Sequence, residues 1–147
     1  MVMSDNDRLM ARILGAKVIA VVGLSRDPAK PSHDVAGYLQ SHGYRIVPIN
    51  PTVDEVLGEK AYKSLLDLPE ELKREIDVVD IFRRTEDVPP IVDQAIELFR
   101  NYRHPLAVWM QLGIVNEEAA RKARVAGLDV VMDHCMKIEH KRLGLGN

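Results

Sequence analysis

The feature that most constrains the fold is a repeated alternation. Short, nearly uninterrupted apolar runs rich in β-branched residues are separated by segments whose apolar residues recur at helical spacing. A strand covered on both faces loses the in-and-out alternation of a half-exposed strand and reads as such a run. Lys17–Val22 is the clearest case, and Arg45–Ile49, Val78–Phe82, Leu106–Met110 and Asp129–Met132 follow. Strands alternating with helices predict an α/β fold: a doubly wound, mainly parallel five-stranded sheet with helices on both faces, using residues 1–147 as a single domain.

End signals support this order. Ser4-Asp5-Asn6-Asp7 supplies cap candidates for a helix carrying Leu9, Met10, Ile13 and Leu14, with Gly15 as a left-handed stop. Ser32 is placed to cap a second helix with Val35, Ala36, Tyr38 and Leu39 on one face, closed by Gly43. Pro48 cannot donate to a ladder, which implies an edge-like position for the second strand or an irregular strand end. Between Pro51 and Glu75 the pattern weakens to two helical turns, around Ser64–Pro69 and Glu70–Glu75. Pro89 and Pro90 fit the first turn of a helix whose inner face is Val88, Ile91, Val92, Ala95, Ile96 and Phe99, and Asn116 caps another that ends at Gly127. The tail Gly144–Asn147 is expected to fray.

Composition narrows the function classes. Twenty Lys and Arg against 22 Asp and Glu give a net charge of −2, without the basic field of a nucleic-acid binder. No apolar run approaches the roughly 18 residues of a membrane span, and Asp5 and Asp7 stand where a signal peptide would be basic. The single cysteine, Cys135, forbids an internal disulfide. These features fit a reduced, cytoplasmic protein.

In open parallel sheets ligands bind beyond the carboxyl ends of the strands, so the segments that follow the strands carry the functional signal. Gly23-Leu24-Ser25-Arg26 through Lys30 and Ser32 lacks the G-x-G-x-x-G spacing of dinucleotide binders. It still offers a glycine for close approach, a helix start, a hydroxyl at Ser25 and cations at Arg26 and Lys30, which suit a pyrophosphate or else a solvated polar loop. Asn50-Pro51 follows the second strand, where an NAD site would place an acid against the ribose. A neutral residue there admits a ribose with an extra phosphate, as in NADP or coenzyme A, and equally suits an ordinary turn. Phe82-Arg83-Arg84 and Trp109-Met110-Gln111 add planar surface and cations, which could meet an adenine or a pantetheine arm. Core packing of Trp109 and pairing of the arginines with Glu86 and Asp87 are the alternatives.

Taken in order, Val22–Arg26, Ile49–Pro51, Asp80–Arg84, Trp109–Gly113 and Gly127–Cys135 resemble the stand-alone CoA-binding domain family, over about residues 10–143. That family is similar to the N-terminal CoA-binding domain of the succinyl-CoA synthetase alpha subunit, a Rossmann-like fold. The resemblance implies that Gly23, Leu24, Ser25 and Arg26 hold CoA phosphates. It also implies that Asn50 and Pro51 border the nucleotide, and that Phe82, Arg83, Trp109, Met110 and Gln111 line the remainder. The 3′-phospho-ADP part would lie at the start of the second helix and the pantetheine arm across the strand ends. Because the chain ends at Asn147, soon after its fifth strand, the synthetase's ligase activity is not carried over. What remains is a binder of CoA or acyl-CoA serving as carrier, sensor or regulatory module, alone, as a homo-oligomer or with a protein partner. The competing class is an NADP-dependent or acyl-CoA-processing enzyme.

Three further features were weighed. Gly23-Leu24-Ser25 resembles part of a nucleophile elbow, with Asp80, Asp133 and His134 as nominal partners, but Asp27 replaces the closing glycine. Cys135 lies after the fifth strand with His134 and Lys137 nearby, neighbours that favour a thiolate, so it is either a contact for the CoA thiol or an inert core residue. His134, Cys135, Glu139 and His140 lack a zinc spacing, and no metal is expected.

Overall fold

The computed structural model describes residues 2–145. Its frame is a five-stranded parallel sheet in the order β2-β1-β5-β6-β7, formed by β1 (Val18–Val22), β2 (Arg45–Ile49), β5 (Val78–Ile81), β6 (Ala107–Met110) and β7 (Asp129–Val131). One face packs on α1 (Asp5–Leu14), α2 (Pro31–Ser41) and α6 (Met136–Arg142) through Met10, Leu39, Trp109 and Met136. The other packs on α4 (Val88–Tyr102), α5 (Glu117–Ala126) and the short α3 (Glu70–Lys73) through Val92, Leu72 and Ala120. Burial on both faces is why the strands read as continuous apolar runs. No described helix is long and apolar enough to cross a membrane.

The edge position of β2 follows from Pro48. Its missing donor faces away from β1, and on that side its carbonyl accepts the Tyr62 amide at 3.0 Å while the Asn50 amide donates to the Tyr62 carbonyl at 2.9 Å. A two-stranded hairpin, β3 (Glu55–Val56) with β4 (Glu59–Lys60), lies in the segment that gave no pattern.

Two expected helix signals act differently in the structure. Gly15 ends α1 in a right-handed conformation, φ −75°, and its amide reaches back to Ala11 and Arg12 at 3.2 Å. Ser32 is not the cap of α2: Lys30 holds that position, Pro31 opens the helix, and Ser32 is buried in its first turn. By contrast, Ser4 Oγ accepts the Asp7 amide and Asn116 Oδ1 the Ala119 amide, as their spacing predicted. Of the expected frayed tail, Gly144 and Leu145 return amides to Lys141 and His140 at 3.1 Å, and Gly146 and Asn147 lie outside the described residues.

Candidate functional site

The strand order locates the site. From β1 the chain moves to β2 on one side and then crosses to β5 on the other, so the order reverses between β1 and β5. The residues leaving those strands, Gly23 and Phe82-Arg83, meet there. Gly23 has φ +87°, and a Cβ on it would stand 2.4 Å from the Phe82 carbonyl oxygen. Glycine is therefore required where the two loops touch.

A cleft of about 560 Å³ opens at this junction. It is lined by Gly23, Ser25, Lys30 and Ser32 from the first loop and the start of α2, by Phe82 and Arg83 after β5, and by Gln111, Leu112, Ile114 and Cys135 from the segments after β6 and β7. A second cavity of about 300 Å³ shares Gly23 and Arg83 and reaches Pro51, Lys63 and Ser64. Arg83 thus stands between the two, and its guanidinium approaches Asp87 at 3.5 Å, a carboxylate shared with Arg84 at 3.1 Å.

Hydrogen bonds set the shape of the first loop. Ser32 Oγ accepts the Ser25 amide at 3.0 Å, and Ser25 Oγ accepts the Asp27 amide at 3.0 Å. Asn50 Nδ2 donates to the Leu24 carbonyl at 2.9 Å, and Asn50 Oδ1 accepts the Thr52 amide and hydroxyl. Asn50 therefore braces two loops, and Arg26 is exposed beside them.

Of the residues proposed from sequence, Gly23, Ser25, Lys30, Ser32, Phe82, Arg83, Gln111 and Cys135 share the cleft. Pro51 lines the second cavity. Leu24, Trp109 and Met110, also expected at the site, have no exposed surface in the structure. They build the walls instead: Trp109 fills the core beneath the cleft and its Nε1 donates to the His134 carbonyl at 2.8 Å.

The loop after β6 contributes residues that sequence reasoning passed over. Leu112 and Ile114 bring apolar surface to the cleft, and Leu112 is 59% exposed. Gly113, at φ +80°, makes the turn, and its amide donates to Asp133 Oδ1 at 2.7 Å. Apolar residues in a polar loop at a strand end were the available signal.

Beneath Gln111 lies Asp80, fully buried on β5. Gln111 Nε2 donates to Asp80 Oδ1 at 2.6 Å, while Asp80 Oδ2 has no partner. Burial raises the Asp80 carboxyl to about 7, against the lowering effect of that hydrogen bond.

The rival arrangements are not assembled. Asp80 bonds to Gln111, Asp133 to Gly113, and His134 donates through Nδ1 to the Met132 carbonyl at 2.7 Å, so none of them forms a relay with Ser25. Lys137 pairs with Asp34 at 2.9 Å. Among the described residues no group of three or more His, Cys, Asp or Glu is placed to hold a metal ion.

The fold is α/β Rossmann-like, with a cleft at the carboxyl edge of its sheet. Residues 17–141 match the CoA binding domain family, and the chain belongs to that family. Among its relatives is the uncharacterized protein YneT of Bacillus subtilis, 42% identical over 125 residues, which span 85% of this chain and 86% of YneT. A solved structure from Thermus thermophilus is 39% identical, covers 94% of this chain and 98% of its own, and superposes with a TM-score of 0.83. The acetate–CoA ligase (ADP-forming) II of Archaeoglobus fulgidus is 38% identical over 65 residues, a match to 43% of this chain but only 10% of the ligase's length.

Proposed function

We propose that the cleft binds CoA or an acyl-CoA. The phosphates lie against Ser25, Arg26, Lys30 and Arg83, and Asn50 and Pro51 border the nucleotide. The pantetheine arm passes Phe82 and Gln111 toward Leu112, Ile114 and Cys135. The observation that carries this reading is one cavity whose lining combines two chemistries: hydroxyl and cationic groups from the first loop, and apolar side chains with a thiol from the segments after β6 and β7. Phosphates are met by charge-assisted donors, whereas the arm is met by apolar surface and an amide. Membership of the CoA binding domain family supports the same ligand.

Such a protein carries, senses or regulates with CoA, acting as a homo-oligomer or with another protein. Cys135 is the residue that the thiol end of the arm meets. The ligase reaction named for the longer relatives is not part of this reading.

Titration calorimetry with CoA, dephospho-CoA, NADP and NAD tests it. Binding of CoA in preference to both dinucleotides supports the reading. Binding of NADP without CoA would replace it with an NADP-dependent function.

A further inference from the structure

Asp80 is difficult to explain as a structural residue. Its ladder neighbours, Val21 and Trp109, are fully buried and apolar, and one of its own oxygens has no partner. An apolar side chain of similar size would be at least as stable there. Its one polar contact is Gln111, which lines the cleft.

That contact fixes what Gln111 offers a ligand. Its amide nitrogen is committed to Asp80. Its carbonyl oxygen is not among the buried unpartnered side-chain atoms of the described residues, of which Asp80 Oδ2 is the sole member. The oxygen is thus the atom presented to the cleft.

We propose that Asp80 is a positioning residue for ligand selection: by accepting the Gln111 Nε2 hydrogen, it holds the Gln111 carbonyl oxygen toward the cleft as the acceptor for an amide N–H of the ligand. The pantetheine arm of CoA carries such groups, so the inference rests on the CoA reading and deepens it. The nucleotide half has no amide N–H of this kind and does not use the pair. Protonation at the unpartnered Oδ2 leaves Oδ1 as the acceptor, so the orientation of Gln111 does not depend on the charge of Asp80.

The experiment compares CoA with adenosine 3′-phosphate 5′-diphosphate, which shares all three phosphates but lacks the arm, by calorimetry. Asp80→Leu removes the group that orients Gln111 and is expected to weaken CoA about tenfold, the worth of one hydrogen bond, with the nucleotide unaffected. Gln111→Leu removes the acceptor itself and should behave alike, which covers the case in which Asp80→Leu does not fold. Asp80→Asn keeps an oxygen that accepts the Gln111 Nε2 hydrogen and is expected to hold CoA near the wild-type affinity. Equal weakening of both ligands in the leucine variants, or a loss of CoA affinity in Asp80→Asn as large as in Asp80→Leu, would overturn the inference while leaving CoA binding intact. A wild-type protein that binds no CoA would overturn the reading beneath it.

Discussion

Asn50 Nδ2 donates to the carbonyl oxygen of Leu24 at 2.9 Å, joining the loop after β2 to the loop after β1. The residue that sequence reasoning placed at the ribose is first a brace for the loop after β1. Asn50→Ala removes that bond and leaves a carbonyl short of a partner. It is expected to lower unfolding free energy by about 1–2 kcal/mol and to weaken CoA binding. Urea unfolding and CoA titration check the two effects together.

Gly23 sits where β1 and β5 deliver their loops to one point. Gly23→Ala places a methyl group against the Phe82 carbonyl and forces a residue with a side chain to φ +87°. Left-handed backbone alone costs about 1–2 kcal/mol, and the clash adds to it. A clear fall in melting temperature with loss of CoA binding is expected, whereas Gly113→Ala, with open space around it, should show only the backbone strain.

The raised Asp80 carboxyl gives stability a pH dependence of definite sign. The folded value of about 7 exceeds the ordinary 3.8, so between those values the folded state holds a proton that the unfolded state has released. Stability from this group is present below about pH 4, declines as pH rises to about 7, and is flat above it. The span is of the order of a few kcal/mol for a shift of this size. Asp80→Asn should therefore unfold at higher urea than wild type at pH 8, and the two should converge near pH 4.

Arg26 is exposed beside the phosphate loop, free to turn toward an added phosphate. If it reads the 3′-phosphate, Arg26→Ala narrows the difference in affinity between CoA and dephospho-CoA by several-fold and leaves stability within about 0.5 kcal/mol of wild type. An unchanged difference would move that role to Lys30 or Arg83.

Cys135 lines the cleft and is 8% exposed. With CoA disulfide as the oxidant, its thiolate should attack one sulfur, releasing one CoA thiol and forming a protein–CoA mixed disulfide. Intact-mass spectrometry should show one CoA adduct, removed by a reducing thiol and absent in Cys135→Ser. No adduct would mean that the thiol end of the arm lies elsewhere.

The sheet was legible because burial on both faces makes each strand a run that few other structures produce, and Pro48 marked the edge correctly. The hairpin at Glu55–Lys60 was not, since strands of two residues carry no period and its turn, Leu57-Gly58 with both φ positive, lacks the usual Asn-Gly signature. At the site, strand ends directed attention to the loops that line the cleft. Burial was the part that could not be read: Trp109 and Ser32 have side chains suited to a ligand, yet packing turns the first into core and the second into a loop tie. Asp80 was visible only as one acid among many, because its meaning depends on Gln111, a partner 31 positions away.

The most direct measurement is an NMR titration of the labelled protein with CoA, following backbone amides. Large shifts are expected at Gly23, Ser25, Arg83, Gln111, Gly113 and Cys135, with Gly15, Lys17, Asp77 and Ala107 at the opposite edge of the sheet unmoved. Saturable shifts confined to that opposite edge, or to the α4 and α5 face, would contradict CoA binding at the carboxyl ends of the strands.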